Sequence, residues 1–410
     1  MFDINFIRQQ FPALNGEWIF LDNAGGSQIL GSIVERISDY LIHTNVQLGA
    51  SYGISQQSTQ RVEEARQLMA TFINAKSPDE VIFGSSTTQL LANLALAMAA
   101  SFKPGDEVIV TNCDHESNIG PWTRLCALGV IVKTWKVHPD TLRLELDDLE
   151  NLLTEKTRIV AFTAASNVLG TLNPIAAITQ LAHRYGAQVC VDAVAYAPHR
   201  ALNVQAWDVD YCVFSAYKVY GPHCSVLYGK REHLLNLTNL NHYFIANDDI
   251  PYKLQPGNSN FELSWGAAGI LEYCETLAMR FFDEPAKTTY GQVTQAFEAI
   301  ASHEEQLAHR LLTFLVSQPK VRVIGIESAD QSQRVPTISF AVQNKHASEV
   351  VQAIDPFKIG IRSGDFYARK LIESLGLASH GGIIRVSMVH YNSLEEIDQL
   401  IKHLDSGLLG

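Results

Sequence analysis

The sequence lacks several features that mark whole classes of protein. It has no run of Lys or Arg, and its formal net charge is −12. We therefore expect no nucleic-acid partner and no anionic membrane surface as partner, because both require cationic patches. The longest apolar stretch, near Leu90 to Phe102, is broken by Asn93 and is too short to span a bilayer. The first residues show no basic segment followed by an apolar one, so we expect no signal peptide.

Cysteine is scarce, and its spacing is uninformative. The six cysteines form no Cys-x-x-Cys pair, and four of them lie in or beside strand-like segments. Reduced cysteine at such positions is usually a small core residue. This usage favours a reduced, cytoplasmic protein, and we expect no metal site. No Gly-x-Gly-x-x-Gly motif follows the first strand, which argues against a nicotinamide-dependent enzyme.

Strand and helix patterns alternate through the middle of the 410-residue chain. A helix is indicated from Pro174 to Tyr185, with Pro at its start and Gly186 just past its end. Such alternation predicts a mostly parallel sheet with helices on both faces. The predicted strands are short, apolar and β-branched, and they cover residues 107–111, 130–135, 158–163, 187–192 and 211–215.

The pattern changes after about Asp283. A long helical stretch and two strand–helix pairs follow, which is typical of a smaller α+β domain. We therefore predict a large domain over residues 16–285 and a small domain formed by residues 1–15 and 286–410.

Polar residues follow several of the predicted strands. In open α/β sheets, ligands bind at the carboxyl ends of the strands. The polar residues at such ends are Asp192, Asn167, Ser215 and Lys218, together with Thr87 and Thr88 before a helix rich in Leu and Ala.

These side chains have the chemistry to hold pyridoxal 5′-phosphate (PLP). Residues 86–88 supply hydroxyls and helix N-terminal N–H groups for a phosphate. Asp192 is placed to keep a pyridine nitrogen protonated, and Lys218 is the candidate for an imine. Asn167 can donate to a ring phenolate, and His115 can stack on the ring.

Each of these residues has a simpler explanation when it is taken alone. A Lys after a strand usually lies in a solvated loop, and an Asp at a strand end is often a helix N-cap. A single His is more often structural than functional. The order and spacing of the whole set are what favour a cofactor site.

Four segments resemble motifs of the class V aminotransferases, in the branch of the cysteine desulfurases and selenocysteine lyases. The match runs in order from about residue 15 to 405. The segments are Val209-Asp-Tyr-Cys-Val-Phe-Ser-Ala-Tyr-Lys-Val-Tyr-Gly-Pro, Ser166-Asn-Val-Leu-Gly-Thr-Leu-Asn-Pro, Asp114-His-Glu-Ser-Asn-Ile-Gly-Pro-Trp and Leu21-Asp-Asn-Ala.

This resemblance implies the type I fold of PLP-dependent transferases. That fold has a large α/β domain with a mostly parallel, seven-stranded sheet and a smaller α+β C-terminal domain. The resemblance also implies a homodimer whose active sites lie at the subunit interface, and a small amino acid as substrate.

The resemblance assigns a role to each cofactor residue. Lys218 becomes the Schiff-base lysine, His115 the ring-stacking residue and Asp192 the pyridinium partner, while Asn167 meets the ring hydroxyl. The phosphate contacts are Thr87, Thr88 and Ser215, with Asn258 in a segment that reaches the phosphate of the partner subunit.

A second group of residues is assigned to the substrate. Arg385 matches an arginine that clamps the substrate carboxylate, a task suited to its planar fork. Arg362 matches another active-site arginine, and Asn23 and Ala24 belong to the matching N-terminal motif.

One departure from the family pattern bears directly on the reaction. Desulfurases of this branch carry a cysteine where this chain has Tyr367, and no cysteine occurs after Cys274. That thiolate takes sulfur from the substrate as a persulfide, which a phenol cannot hold. Cysteine desulfuration by this route is therefore not expected.

Further departures indicate a reshaped substrate pocket. Tyr217 stands where desulfurases usually have His, and Ala195 stands where Gln or His is normal. Asn258 replaces a Thr, and Gly49-Ala-Ser-Tyr replaces a basic segment that contains His. None of these changes removes a residue of the cofactor set.

We therefore expect an enzyme that acts on a small amino acid through an external aldimine and a Cα carbanion, with Lys218 as the base. The branch favours a C–S or C–Se lyase, and transamination or epimerisation stay open. A retained fold with only a binding or scaffold role would require loss of a core residue. All of these residues are present: Lys218, Asp192, His115, Asn167 and Arg385.

Overall fold

The computed structural model describes residues 2–257 and 259–408. Its strands form a seven-stranded, a four-stranded and a two-stranded sheet. Along the described residues the strands are β1 (Ile19–Phe20), β2 (Val81–Gly84), β3 (Glu107–Thr111), β4 (Ile131–Trp135), β5 (Thr157–Thr163), β6 (Gln188–Asp192), β7 (Tyr211–Ser215), β8 (Ser225–Gly229), β9 (Val321–Ile324), β10 (Thr337–Val342), β11 (Ile359–Gly360), β12 (Arg362–Gly364) and β13 (Ile383–Ser387).

Helices connect most of these strands. In the same part of the chain they are α1 (Ile4–Gln9), α2 (Gly31–His43), α3 (Gly53–Phe72), α4 (Thr87–Met98), α5 (Gly120–Thr123), α6 (Leu146–Leu152), α7 (Ile175–Arg184), α8 (Val204–Trp207), α9 (Arg231–Asn236), α10 (Phe261–Phe281), α11 (Thr289–Ser317), α12 (Ala347–Ile354), α13 (Arg369–Ser374) and α14 (Leu394–Leu408). None of these helices combines the length and the apolar character that crossing a bilayer requires.

The large sheet has the strand order β2-β8-β7-β6-β5-β3-β4. Neighbours from β7 to β4 pair in parallel, whereas β8 runs antiparallel to both β2 and β7. This confirms the mostly parallel, seven-stranded sheet that the resemblance implied. The antiparallel strand β8 was missed, because it returns after β7 with only a short turn and no α-helix between them.

Both faces of the large sheet are buried. Side chains alternate between faces along a strand, so Val108 and Val110 of β3 pack with α4 in one apolar cluster. Ile109 of the same strand packs in a second cluster, which contains residues of α7, α10 and α11. Helices on both faces explain why these strands read as continuous apolar runs.

The small sheet has the order β12-β13-β10-β9 and is antiparallel throughout. Leu307, Val350 and Leu400, from α11, α12 and α14, share an apolar cluster with strand residues such as Ile338. This confirms the smaller α+β unit in the C-terminal part of the chain.

The N-terminal segment has contacts with both units. Ile7 and Phe11 belong to the apolar cluster of the large sheet. By contrast, β1 pairs in parallel with β11, and Leu21 packs in the cluster of the small sheet. The boundaries at residues 16 and 285 stay a prediction.

Candidate active site

A pocket lies where the carboxyl ends of β2, β3, β5, β6 and β7 meet at one edge of the large sheet. Its lining residues are Ser86, Thr87, Thr88, His115, Ser117, Thr163, Asn167, Asp192, Val194, Ala195, Ser215, Tyr217 and Lys218. The structure thus brings together seven of the eight cofactor residues that the sequence predicted. The eighth, Asn258, lies outside the described residues.

Lys218 lies in the turn that follows β7, and its side chain is buried. Burial and the nearby Arg385 guanidinium lower the pKa of its ammonium group to about 8, although Asp192 and Asp22 oppose the shift. A lysine that loses its proton this easily is an effective nucleophile and general base.

Asp192 ends β6 and is also buried. The Val194 N–H donates to its Oδ1 at 2.9 Å. Burial raises the pKa of this carboxyl to about 6, and the charge of Lys218 opposes the rise. A buried carboxylate of this kind is stabilised by a cationic N–H donor.

His115 is held in a fixed orientation by the turn that it begins. Its Nδ1 accepts from the Ser117 N–H at 3.1 Å, so the proton of the neutral ring belongs on Nε2. Burial, together with the positive charges of Lys218 and Arg385, lowers the pKa of this imidazole to about 4. The ring is therefore neutral and flat at physiological pH.

Three hydroxyls form a cluster at the N-terminus of α4. Thr87 Oγ1 and Ser215 Oγ lie 2.7 Å apart, and Ser225 Oγ lies 2.9 Å from Ser215 Oγ and 3.3 Å from Thr87 Oγ1. Helix N-termini with added hydroxyls favour phosphate binding. Ser225 was missed in the sequence because it lies on the missed strand β8.

Asn167 connects the pocket to the loop after β12. Its side-chain Nδ2 donates to the backbone carbonyl of Phe366 at 2.9 Å. Its backbone carbonyl accepts from Arg385 Nη1 at 3.2 Å. The side chain predicted to meet a ring hydroxyl is thus engaged with the loop.

Arg385 lies on β13 and is surrounded by partners. Its Nη2 donates to Asp22 Oδ1 at 2.8 Å, and its guanidinium lies 3.8 Å from the centroid of the Phe366 ring. Its Nε is buried without a hydrogen-bond partner among the described residues. Arg362 is its cross-strand neighbour on β12 and is exposed.

Asn23 and Ala24 make structural hydrogen bonds that hold the N-terminal segment against β13. The buried Asn23 amide donates to the backbone carbonyls of Phe20 and Ser387, both at 2.9 Å. The Ala24 N–H donates to Ser387 Oγ at 2.8 Å. Neither residue is part of the pocket lining described above.

Tyr367, which stands in place of the desulfurase cysteine, packs beside the pocket residue His115 but is not itself part of the pocket lining described above. The two ring centroids are 5.1 Å apart, and the Tyr367 carbonyl accepts from the Glu116 N–H at 2.8 Å. Phe366 and Tyr367 have φ angles of +52° and +58°. Two consecutive non-glycine residues in this left-handed region are strained, a state usually found at functional sites.

Tyr217 and Ala195, two further departures from the desulfurase pattern, both line the pocket. The Tyr217 ring stacks on His223 with centroids 4.9 Å apart, and Lys218 Nζ lies 5.9 Å from its centroid. The aromatic ring therefore reshapes the wall next to the lysine.

The donor set of this pocket fits PLP. It combines a hydroxyl cluster at a helix N-terminus, a buried carboxylate and a buried lysine with a lowered pKa. The described residues contain no group of three or more His, Cys, Asp or Glu side chains arranged to bind a metal ion.

Comparisons with known proteins agree with this geometry. The family description "Aminotransferase class-V" matches residues 19–400. Aminotransferase-like protein FGM3 of Gibberella zeae is 44% identical over 98% of both chains. Cysteine desulfurase-like protein ustD of Aspergillus flavus is 33% identical over 98% of this chain and 90% of its own. A cysteine desulfurase structure from Thermococcus onnurineus superposes with a TM-score of 0.88 at 26% identity, covering 99% of this chain and 98% of its own.

Proposed function

Since the chain belongs to the class V aminotransferases and is a PLP-dependent enzyme of the cysteine desulfurase-like kind, we propose that Lys218 is the covalent attachment point of the cofactor. The observation that carries this proposal is that Lys218 is buried in the pocket with Asp192, and that burial and the Arg385 charge lower the pKa of its amine to about 8. Only the deprotonated amine attacks an aldehyde, and the lowered pKa leaves a larger deprotonated fraction near neutral pH than an ordinary lysine has.

The other lining residues hold the remaining parts of PLP. Thr87, Thr88 and Ser215 line the phosphate position at the start of α4, and the buried Ser225 supports the hydroxyls of Thr87 and Ser215 from behind. Asp192 keeps the pyridine nitrogen protonated, while the neutral His115 ring stacks on its face. When bound, the cofactor supplies an electron sink for charge that develops at the α-carbon of the substrate.

The substrate is a small amino acid. Arg385 binds its carboxylate, because the guanidinium is buried, planar and has a vacant Nε–H. Lys218, once its amine is free, removes the α-proton as general base, since its pKa lies close to working pH. Arg362 is close to the same site through its contact with Asp22.

The reaction that this site supports best is loss of a β-sulfur or β-selenium group, as in a C–S or C–Se lyase. Such an elimination needs no thiol acceptor, which is consistent with Tyr367 at the position of the desulfurase cysteine. Transamination is the second candidate, favoured by the similarity to an aminotransferase-like protein. Epimerisation at the α-carbon requires the same base and the same carboxylate clamp.

One spectroscopic experiment separates these reactions. The visible absorbance of the PLP-loaded protein is followed with cysteine, cystine or alanine, with no keto acid present. A lyase keeps its absorbance while pyruvate and sulfide or persulfide accumulate. Bleaching that lasts until a keto acid is added would show a transaminase and overturn the lyase proposal.

The covalent assignment is tested in parallel. Borohydride reduction of the loaded protein should fix the cofactor on the peptide that contains Lys218, as located by mass spectrometry. Lys218→Ala should lose this adduct while keeping its fold. An adduct on another lysine would contradict the assignment.

A homodimer is the assembly we propose. Helix α2, the segment that follows it and the start of α3 expose several large apolar side chains, which a folded chain rarely leaves in water. These residues are Val34, Leu41, Ile42, Tyr52 and Ile54. A cytoplasmic location agrees with the six free thiols, of which five are buried.

A further inference from the structure

Asp22 is a carboxylate that already occupies the arginine of the proposed substrate site. Its Oδ1 lies 2.8 Å from Nη2 of Arg385, whose side chain is only 3% exposed. Its Oδ2 lies 3.9 Å from Nη1 of Arg362, whose side chain is 60% exposed. One carboxylate thus lies between a buried arginine that it contacts closely and an exposed arginine that it contacts loosely.

The backbone on both sides of Asp22 is fixed to β13. The Ser387 N–H donates to the Leu21 carbonyl at 2.7 Å, and the Asn23 N–H donates to the Ser387 carbonyl at 3.3 Å. Arg362 and Arg385 are directly opposed across β12 and β13, so their side chains leave the sheet on one face. The Asp22 side chain can therefore change its arginine partner by a rotation about its own bonds, without backbone movement.

The donors of Arg385 show what an incoming carboxylate meets. Its Nη1 donates to the Asn167 carbonyl, its Nη2 donates to Asp22, and its Nε is buried without a partner among the described residues. A buried N–H without an acceptor costs free energy, which an arriving acceptor relieves. A carboxylate that binds side-on needs Nε and Nη2 together, and Nη2 is the nitrogen that Asp22 holds. Two carboxylates on adjacent donors of one buried guanidinium would repel each other.

We infer that Asp22 is an exchangeable counter-ion: it neutralises Arg385 while the carboxylate subsite is empty, and it turns to Arg362 when a substrate carboxylate binds Arg385. The inference rests on the proposed role of Arg385 as the carboxylate clamp. Asp22 is a positioning residue in this scheme, because it sets the affinity of the subsite without contacting the reacting atoms. An amine without a carboxylate leaves Asp22 in place and gains nothing from Arg385.

The first test measures binding of propanoate, a carboxylate with no amine, to the PLP-loaded protein by calorimetry. Asp22→Asn keeps the shape and one acceptor oxygen but removes the competing charge. We expect propanoate to bind about tenfold more tightly to this variant, the low end of what an adjacent charge does to an ionic equilibrium. Asp398→Asn is the matched control, because Asp398 pairs with Arg310 at the surface at 2.6 Å and should leave binding unchanged.

Unchanged or weaker binding to Asp22→Asn would overturn the inference. Weaker binding would mean that Asp22 orients Arg385 for the substrate, which is the opposite of competition. The same change in both Asp22→Asn and Asp398→Asn would also overturn it, since the effect would then come from net charge alone.

The second test asks whether Arg362 receives Asp22. Arg362→Gln removes the alternative partner, so Asp22 should stay on Arg385 and propanoate should bind several-fold more weakly. In the Asp22→Asn background the same substitution should have little effect, and this difference is the coupling that a double-mutant cycle measures. Equal weakening in both backgrounds would show that Arg362 binds the carboxylate directly, and the exchange would be wrong.

A reference variant separates this inference from the proposed function. Arg385→Gln should abolish saturable binding of propanoate. If Arg385→Gln binds propanoate as the parent protein does, the carboxylate clamp itself is wrongly assigned. If Arg385→Gln loses binding but Asp22→Asn does not gain it, only the exchange of Asp22 fails.

Discussion

The lowered pKa of Lys218 predicts how the rate of cofactor binding depends on pH. Its amine has a pKa of about 8, lowered first by burial and then by Arg385. Because only the deprotonated amine attacks an aldehyde, we expect the rate of PLP reloading into the apoprotein to rise with pH and to level off above about pH 8. An ordinary lysine would not level off until its usual pKa of about 10.4. Stopped-flow absorbance over this pH range measures the rate.

A variant that lacks one of the two causes of the lowered Lys218 pKa provides the control. Arg385→Gln removes the positive charge that helps to lower the pKa of Lys218, so the plateau should move to higher pH. A plateau that stays in place would mean that burial alone sets the pKa. A parent rate that still rises near pH 10 would contradict the lowered pKa of Lys218.

The sequence could indicate which residues line the pocket for a physical reason. Asp192 and Ser215 end strands and Lys218 comes shortly after one, and the carboxyl ends of parallel strands meet at one edge of the sheet. The local strand pattern is therefore enough to predict that these residues lie at the same edge of the sheet. The contact between Asp22 and Arg385 joins residues 363 positions apart, and no local pattern specifies it.

At the scale of elements, the parallel strands were recognisable because burial on both faces makes them continuous apolar runs. The strand β8 is buried and apolar like the others, but it follows β7 without an intervening α-helix and turns back antiparallel. An alternation rule that expects a helix between strands cannot find it. Ser225, its first residue, which contacts the pocket hydroxyls of Thr87 and Ser215, was therefore not predicted.

The segment between α9 and α10 is held by one buried lysine. Lys253 Nζ donates to the backbone carbonyls of Leu235, Leu237 and Asn247 at 3.0, 2.9 and 2.8 Å. The side chain is buried, and burial lowers the pKa of its ammonium group. The ammonium thus links the end of α9 and the start of this segment to its middle through three hydrogen bonds to backbone carbonyls.

Lys253→Met keeps most of the side-chain volume but leaves these three carbonyls without their donor. Each unsatisfied buried acceptor costs roughly 1–3 kcal/mol, so we expect a loss of about 3 kcal/mol in unfolding free energy. The loss should begin locally, as faster hydrogen exchange and protease cleavage within residues 237–255. Lys358→Met is the control, because Lys358 pairs with Glu17 at the surface and should change stability little. Global destabilisation with unchanged local exchange would contradict this role.

At the scale of the molecule, the exposed apolar surface argues for a second copy of the chain. Leu41 and Ile42 at the end of α2 are 44% and 73% exposed, and Tyr243 in the segment before α10 is 98% exposed. Stable homodimers bury roughly 2,000 Å² or more, with an apolar centre that matches such residues.

We expect the protein to sediment at twice the mass of its chain, and Ile42→Glu to shift it toward the monomer. A glutamate at the centre of an apolar interface must lose its hydration without gaining a partner, which costs several kcal/mol. Val316→Glu on α11 is the control, since Val316 is similarly exposed but lies on the small-domain side of the fold. Analytical ultracentrifugation gives the mass, and retention of PLP through gel filtration shows whether the pocket depends on the partner. A parent protein that sediments as a monomer at micromolar concentration would refute the dimer. A monomeric Ile42→Glu variant that keeps PLP as tightly as the parent would confine the site to a single chain.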